Sequence, residues 1–316
     1  MAEKDIAENT FIALNDVFAD IFNALLFGGK QMVVPDSLTD VANTSQYRAD
    51  DNKLHEQERD TNKIWQGNKI NLVMAGVENQ TKPDKDMPFR IISYDGASYR
   101  SQLLKTEDCM IDGEVKQVPS KERYPVITIV LYFGKENWNY PKSLCESFYP
   151  ELSENETTKI LKNYIQDYKI HVFDIPRLKQ EEVNRFRSDF RIVADFFTHA
   201  YTDQYYIPED VVITHVDEFL KLMKVLTGDN RYEEIAMSFT QEEKERGVKM
   251  CEVLDAREAR GEARGEARGE ARGILLGAER LGKLMEILLG KNMIEEARKA
   301  ASDAKFREEY YKVYKI

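Results

Sequence analysis

The sequence predicts an α/β core followed by a helical tail, and three observations carry that prediction. Apolar residues near the N-terminus recur at helical spacing, and residues 125–133 form an unbroken apolar, β-branched run. From 180 to 240 the apolar pattern returns to three- and four-residue steps. Helix, strands, helix, strand and then helices is the order of an α/β core with a helical extension.

Each element follows from its residues. Leu14, Val17, Phe18, Ile21, Phe22, Leu25 and Leu26 share one helical face, and Gly28-Gly29 ends that helix. The polar stretch from Ser37 to Asn52 predicts a loop. Arg59–Trp65 and Ile70–Glu78 are strand-like runs separated by Gln66-Gly67-Asn68, the pattern of a β-hairpin. Met87-Pro88 opens a second helix, with Phe89, Ile92, Ala97, Tyr99 and Leu103 as its expected inward face. After a polar loop, Pro125–Phe133 predicts a strand buried on both faces. Tyr168–Ile175 predicts another strand. Phe186, Phe190, Val193, Phe196 and Phe197, then Phe219, Leu222 and Val225, mark later helices.

Residues 258–273 are Glu-Ala-Arg-Gly four times over. In a helix this aligns glutamates in one i,i+4 column and arginines in another, and no Glu–Arg pair falls three or four residues apart. Each glycine also lowers helix propensity by about 1 kcal/mol. A weak helix or a linker is expected, with a Gly/Ala column that another helix could approach closely. Leu275–Leu289 resumes an amphipathic pattern. The expected organisation is a core over 1–178, a helical region packed on it over 179–250, the repeat segment over 251–273, and a C-terminal helical segment over 274–316. Self-association through the C-terminal helices is a further expectation.

Composition limits the function. Hydrophobic content of 42% with 10% aromatics argues for a globular chain. No apolar run approaches the roughly 18–20 residues that span a bilayer, so no membrane partner is expected. The acidic N-terminus has no basic flank before Phe11–Phe27 and does not resemble a signal peptide. Cys109, Cys145 and Cys251 lie far apart, as free thiols of a cytoplasmic protein would. The net charge of −11 argues against strong sequence-independent DNA affinity of a monomer. That acidity lies mainly outside the middle of the chain, because residues 51–200 carry 22 basic and 24 acidic side chains. The four histidines lack zinc spacing, and no phosphate loop, nucleophile elbow or dinucleotide fingerprint is present.

One constellation points to chemistry. Asp60 stands on the first arm of the hairpin, and Glu78-Asn79-Gln80 ends the second. Two carboxylates brought together repel unless a cation or proton intervenes, so such a pair suits a hard metal such as Mg²⁺ or Mn²⁺. A metal of that kind polarises a phosphodiester and activates water. Gln80 shares a strand face with Glu78 and could orient that water. The plainer reading is a surface Asp60 and a Glu78 paired with a nearby cation; the residues alone leave both open.

Several stretches occur in a characteristic order: Phe18-Ala-Asp-Ile-Phe-Asn-Ala-Leu-Leu-Phe-Gly28, Glu78-Asn-Gln-Thr81, Met87-Pro-Phe-Arg90 with Tyr94-Asp95, and Pro125-Val-Ile-Thr128 with Leu131-Tyr-Phe-Gly134. With them, nearly the whole chain resembles the bacterial Rpn (recombination-promoting nuclease) group, also described as PD-(D/E)XK nuclease family transposases. The resemblance implies a restriction-endonuclease-like αβββαβ core and divalent-metal-dependent DNA cleavage, with a role in recombination or defence. Carried onto this chain, Asp60 is the core aspartate, Glu78 the second metal ligand and Gln80 the residue usually occupied by lysine. Asp20 is a further candidate ligand, ahead of Asp16. Arg90 and Arg100 are candidate DNA contacts, with pairing to local acids as their alternative. Two residues depart from the pattern. Arg59 replaces the proline of the class name, and neutral Gln80 cannot supply a lysine's charge, which predicts a slow enzyme. A catalytically decayed nuclease fold, kept as a DNA- or protein-binding module, is the alternative function.

Overall fold

A computed structural model describes the chain apart from residues 1–2, 42–43, 49–53, 59–60, 68–69, 149–155 and 201–209. Outside its description also lie the side chains of 3–5, 44–48, 54–58, 70–76, 78, 162 and 200. The chain forms two compact units, Met1–Cys251 and Glu252–Ile316.

In the first unit, α1 (Glu3–Ile12) precedes α2 (Asn15–Leu25). The apolar face of α2 is buried at Val17, Phe18, Ile21 and Phe22. Gly28 and Gly29 follow it with φ of 61° and 89°, backbone that an L side chain adopts only with strain. The Gly29 amide donates to the Asn23 carbonyl at 2.8 Å and so closes the helix end.

The segment expected as a loop contains two strands, β1 (Leu38–Asp40) and β2 (Thr44–Arg48), the latter paired with β3 (Leu54–Glu58). Only Leu38 of β1 is buried, so three residues carried too little alternation to mark a strand. Next, β4 (Thr61–Gly67) and β5 (Ile70–Gln80) form the expected antiparallel hairpin, with Thr61 opposite Val77. Then α3 (Met87–Leu104) leads to β6 (Thr106–Ile111) and β7 (Glu114–Pro119), a hairpin where a polar loop was expected. Asp112 and Gly113 turn it with φ of 55° and 83°, a two-residue Asp-Gly signal that was legible in the sequence. Most of its residues are exposed on both faces, so no apolar alternation accompanied that signal.

β8 (Val126–Tyr132) runs parallel to β5, and six of its seven residues are buried, which accounts for its unbroken apolar run. After α4 (Leu144–Phe148) and α5 (Glu156–Lys162), β9 (His171–Asp174) pairs parallel to β8. The sheet order is β1-β4-β5-β8-β9.

Met87, Ile91 and Tyr94 of α3 cover one side of β8, in a cluster with Val130, Tyr132, Trp138 and Ile170. That inward face corrects the expected one. Phe89, Tyr99 and Leu103 are exposed, whereas Asp95, Ser98 and Gln102 are buried. The polar residues go inside because partners await them. Thr128 Oγ1 donates to Asp95 at 2.6 Å, and the Tyr168 hydroxyl donates to the other carboxylate oxygen. Gln102 brackets Tyr124, donating to its carbonyl at 3.1 Å and accepting from its amide at 2.9 Å. Apolar periodicity does not register a polar side chain that meets its hydrogen bonds only after folding.

Next come α6 (Gln180–Val183) and α7 (Phe190–Ala200), and Phe133 meets Phe190 and Phe197 edge-on at 6.4 and 5.2 Å. The unit ends with β10 (Val212–Ile213), α8 (Val216–Thr227), α9 (Arg231–Ser238), α10 (Gln241–Arg246) and β11 (Val248–Lys249), where β10 pairs with β11. Phe11 and Phe219, 6.4 Å apart, join α1 to α8.

α11 (Met250–Gly290) is one helix of 41 residues that includes the whole repeat. Stronger helix formers on both sides nucleate it, after which propagation through the repeat is inexpensive. Every residue from 262 to 280 is exposed. Leu284 and Leu288 of α11 pack against Ala297 and Ala300 of α12 (Ile294–Ser302) and Tyr311 of α13 (Ala304–Tyr314). Among the described residues, no helix is long and apolar enough to cross a membrane.

Candidate functional site

The parallel strands β5, β8 and β9 end together. Gln80 pairs with Tyr132, Tyr132 pairs with Asp174, and the Phe133 amide donates to the Gln80 carbonyl at 2.8 Å. Two residues earlier, Glu78 is in register with Val130. On the other side of β5, Thr61 opposes Val77. The chain neighbours of Asp60 and Glu78 are therefore cross-strand partners. Asp60 itself and the side chain of Glu78 lie outside the described residues. Among those described, no three His, Cys, Asp or Glu residues come together as a metal site would require.

β4 also carries a buried lysine that sequence reasoning missed. Lys63 is 1% exposed; its ammonium donates to Asn15 Oδ1 at 2.7 Å and to the Asp40 carboxylate, and lies 5.8 Å over the Phe18 ring. It ties α2 to β4 and β1. Nothing in the sequence links Asp40 to Lys63, because a turn and a strand pairing bring them together. Lys63 opposes Ala75 and Thr61 opposes Val77, so these residues share one sheet face, while Gln80 falls on the alternate one.

Asp20, on α2, is 5% exposed. Its Oδ2 accepts from the Arg187 amide at 2.7 Å, the Ser188 amide at 2.7 Å and the Ser188 hydroxyl at 2.8 Å. Oδ1 is buried and has no hydrogen-bond partner among the described residues. Burial raises the Asp20 pKa, against the opposing pull of these donors and the Arg187 charge. Asp16, one turn earlier, pairs with His215 Nε2 at 2.9 Å. A second buried carboxylate, Asp189, accepts from the amides of Thr214 and His215 at 3.0 and 2.7 Å, and burial raises its pKa as well. These acids join α2 to the segments that begin α7 and α8, an arrangement no local spacing announces.

Arg90 lies at the first turn of α3. It donates to Asp84 at 3.1 Å and to the Tyr94 hydroxyl at 3.2 Å, so it is engaged locally. Arg100 is exposed, and no hydrogen bond or ion pair engages its side chain among the described residues.

A family model described as putative transposase, YhgA-like, matches residues 57–225, more than half of the chain. That span runs from β3 through the sheet to α8. No curated protein and no solved structure matches the chain. On the family match, the chain belongs to the YhgA-like putative transposase family.

Proposed function

We propose that this chain is a divalent-metal-dependent DNA endonuclease in which Asp60 and Glu78 hold Mg²⁺ or Mn²⁺ and Gln80 orients the attacking water. The observation that carries the reading is the register at the end of the sheet. Thr61, which follows Asp60 in the chain, opposes Val77, which precedes Glu78, and Glu78 stands two residues before Gln80 on β5; this register supports the pairing of the two acids. Family membership supports a nucleic-acid substrate. The element order α2, β1, β4, β5, α3, β8 supports a restriction-endonuclease-like αβββαβ core, with β2–β3 and β6–β7 as inserted hairpins.

Two carboxylates supply oxygen donors of the kind hard cations prefer, with water completing the shell. Such an ion, when bound, supplies Lewis acidity toward a phosphodiester oxygen and a more acidic water. The chain's own contribution is positional. The pairing of Thr61 with Val77 supports bringing the two acids together, and the Phe133 amide fixes the Gln80 backbone. Neutral Gln80 adds no positive charge at the transition state, so turnover is expected to be slow. A role in recombination or defence accords with this chemistry.

A plasmid-nicking assay with and without EDTA, a gel shift and thermal melting on Glu78→Gln test the proposal. EDTA should abolish nicking, and Glu78→Gln should lower it by orders of magnitude while DNA binding and melting temperature hold. Nicking undiminished by EDTA would remove the metal. Normal nicking with a lowered melting temperature would make Glu78 a structural ion-pair partner. DNA binding by a wild-type chain that never nicks would favour the decayed-nuclease module.

A further inference from the structure

We infer that Arg187 is a DNA-phosphate contact presented at the cleavage end of the sheet by the buried carboxylate of Asp20, which acts as a positioning residue. This inference rests on the nuclease reading above. Four observations lead to it.

Arg187 is exposed, and no hydrogen bond or ion pair engages its guanidinium among the described residues. Neighbouring charges are already occupied. Glu182 accepts from the Lys179 amide at 2.8 Å, Glu181 lies 3.4 Å from Arg185, and Asp189 accepts from the amides of 214 and 215. Arg187 is left as a solvent-exposed cation that interacts at a distance with the buried Asp20 and forms no ion pair among the described residues.

Its backbone, by contrast, is held firmly. The three donors on Asp20 Oδ2 come from Arg187 and Ser188, and Phe186 and Phe190, both buried, flank the turn with ring centroids 5.0 Å apart. An arginine on so fixed a turn loses little backbone freedom when it binds an anion.

The turn also lies toward the end of the sheet where β5 and β8 finish. Phe190 packs against Phe133, whose amide bonds the Gln80 carbonyl. Arg177, in the same segment, donates to the carbonyls of Gly134 and Lys135, the residues that follow Phe133. Both connections lead to the strand ends where β5 finishes.

Finally, Asp20 is engaged in a way that suits positioning. One oxygen is filled by three protein donors, and the other is buried without a partner. A turn that needed only an acceptor could use Asn or Ser with a smaller desolvation penalty. A carboxylate beneath the turn instead takes all three donors on one oxygen, as charge-assisted hydrogen bonds. A lone exposed arginine of this kind suits a phosphate, the repeating anion of DNA, better than a base edge.

The test is a gel shift of a short DNA duplex in EDTA across a salt series, alongside thermal melting. Arg187→Ala should weaken binding roughly three- to tenfold at low salt and flatten the slope of log K against log salt by about 0.9. Its melting temperature should stay that of the wild type, because the side chain supports nothing in the fold. Arg187→Lys should keep the slope. Asp20→Ala should weaken binding in the wild-type background and add little to Arg187→Ala, which separates positioning from general damage. Asp20→Asn takes its place if the alanine variant does not fold. If the wild type shifts DNA and Arg187→Ala shifts it equally with the same slope, the contact is overturned. If Asp20 and Arg187 effects simply add, the positioning role is overturned. A wild type that shifts no DNA at low salt defeats both this inference and the nuclease reading, whereas an Arg187-dependent shift without nicking defeats only the latter.

Discussion

The sheet unit and the repeat helix handle charge in opposite ways. In the first unit several buried ionisable groups join distant segments: Asp95 ties α3 to β8 and Tyr168, Lys63 ties β4 to α2 and β1, and Asp20 ties α2 to the turn before α7. In the second unit, residues 262–273 alternate glutamate and arginine along α11, and every one is exposed. The denser charge is the less informative. A solvated side chain on a helix contributes a few tenths of a kcal/mol, whereas a buried carboxylate must be matched by named donors or it destabilises the fold. Function is therefore better sought where charge is scarce and enclosed.

The strongest way to break this comparison is Asp95→Ala. It strands the Thr128 and Tyr168 hydroxyls, and stability should fall by about 3 kcal/mol, read as a lower urea midpoint at unchanged slope. A loss under about 1 kcal/mol would put this buried carboxylate in the same class as the exposed ones.

A smaller and opposite effect is expected in the repeat. Gly265, Gly269 and Gly273 have no atom within 4 Å of where a Cβ would stand, so alanine fits each. The triple Gly→Ala variant should gain up to about 1 kcal/mol of local helix stability per site, seen as far-UV helicity persisting to higher temperature. Nicking should be unchanged. Reduced helicity or reduced assembly would mean that something packs along the glycine column.

The smallest effect concerns pH and sharpens the contrast within the sheet unit. The folded pKa of Asp189 lies above its ordinary value of 3.8 because of burial. A raised carboxyl pKa contributes stability that is present below the unfolded pKa and fades as pH rises through the folded one. Asp189→Asn lacks that titration, so its deficit relative to wild type should narrow as pH rises above about 4. Urea unfolding of both chains across pH 4–7 gives the sign directly. A deficit that widened with pH would mean that the amide donors of Thr214 and His215 outweigh desolvation.

Some of the architecture was legible because it is local. The α2 face, the glycines that end it, the hairpin of β4 and β5, and the central strand β8 all followed from spacing of two, three or four residues. The Asp-Gly turn of β6–β7 was equally local, but its exposed arms lacked the alternation that would have drawn attention to it. The inward face of α3 was not legible. Its buried polar residues are satisfied by Thr128, Tyr168 and Tyr124, which lie 22 to 73 positions further along the chain. The same holds for the candidate site. Asp60, Glu78 and Gln80 are proposed from type and spacing, whereas the partners of Asp20 lie 167 and 168 residues away and meet it only on folding.

By itself, then, the sequence determined the period of each strong element, the turn chemistry between them and which residue types could do metal chemistry, because these depend on neighbours within one or two turns of chain. The tertiary structure alone decided which polar residues are enclosed and what each one meets. It set Lys63 on the face opposite Gln80, gave Asp20 the turn at Arg187 and Ser188, and left the Arg187 guanidinium without a hydrogen bond or ion pair among the described residues. Burial and hydrogen-bond satisfaction are properties of segments distant in sequence that meet only on folding, and no periodicity encodes them.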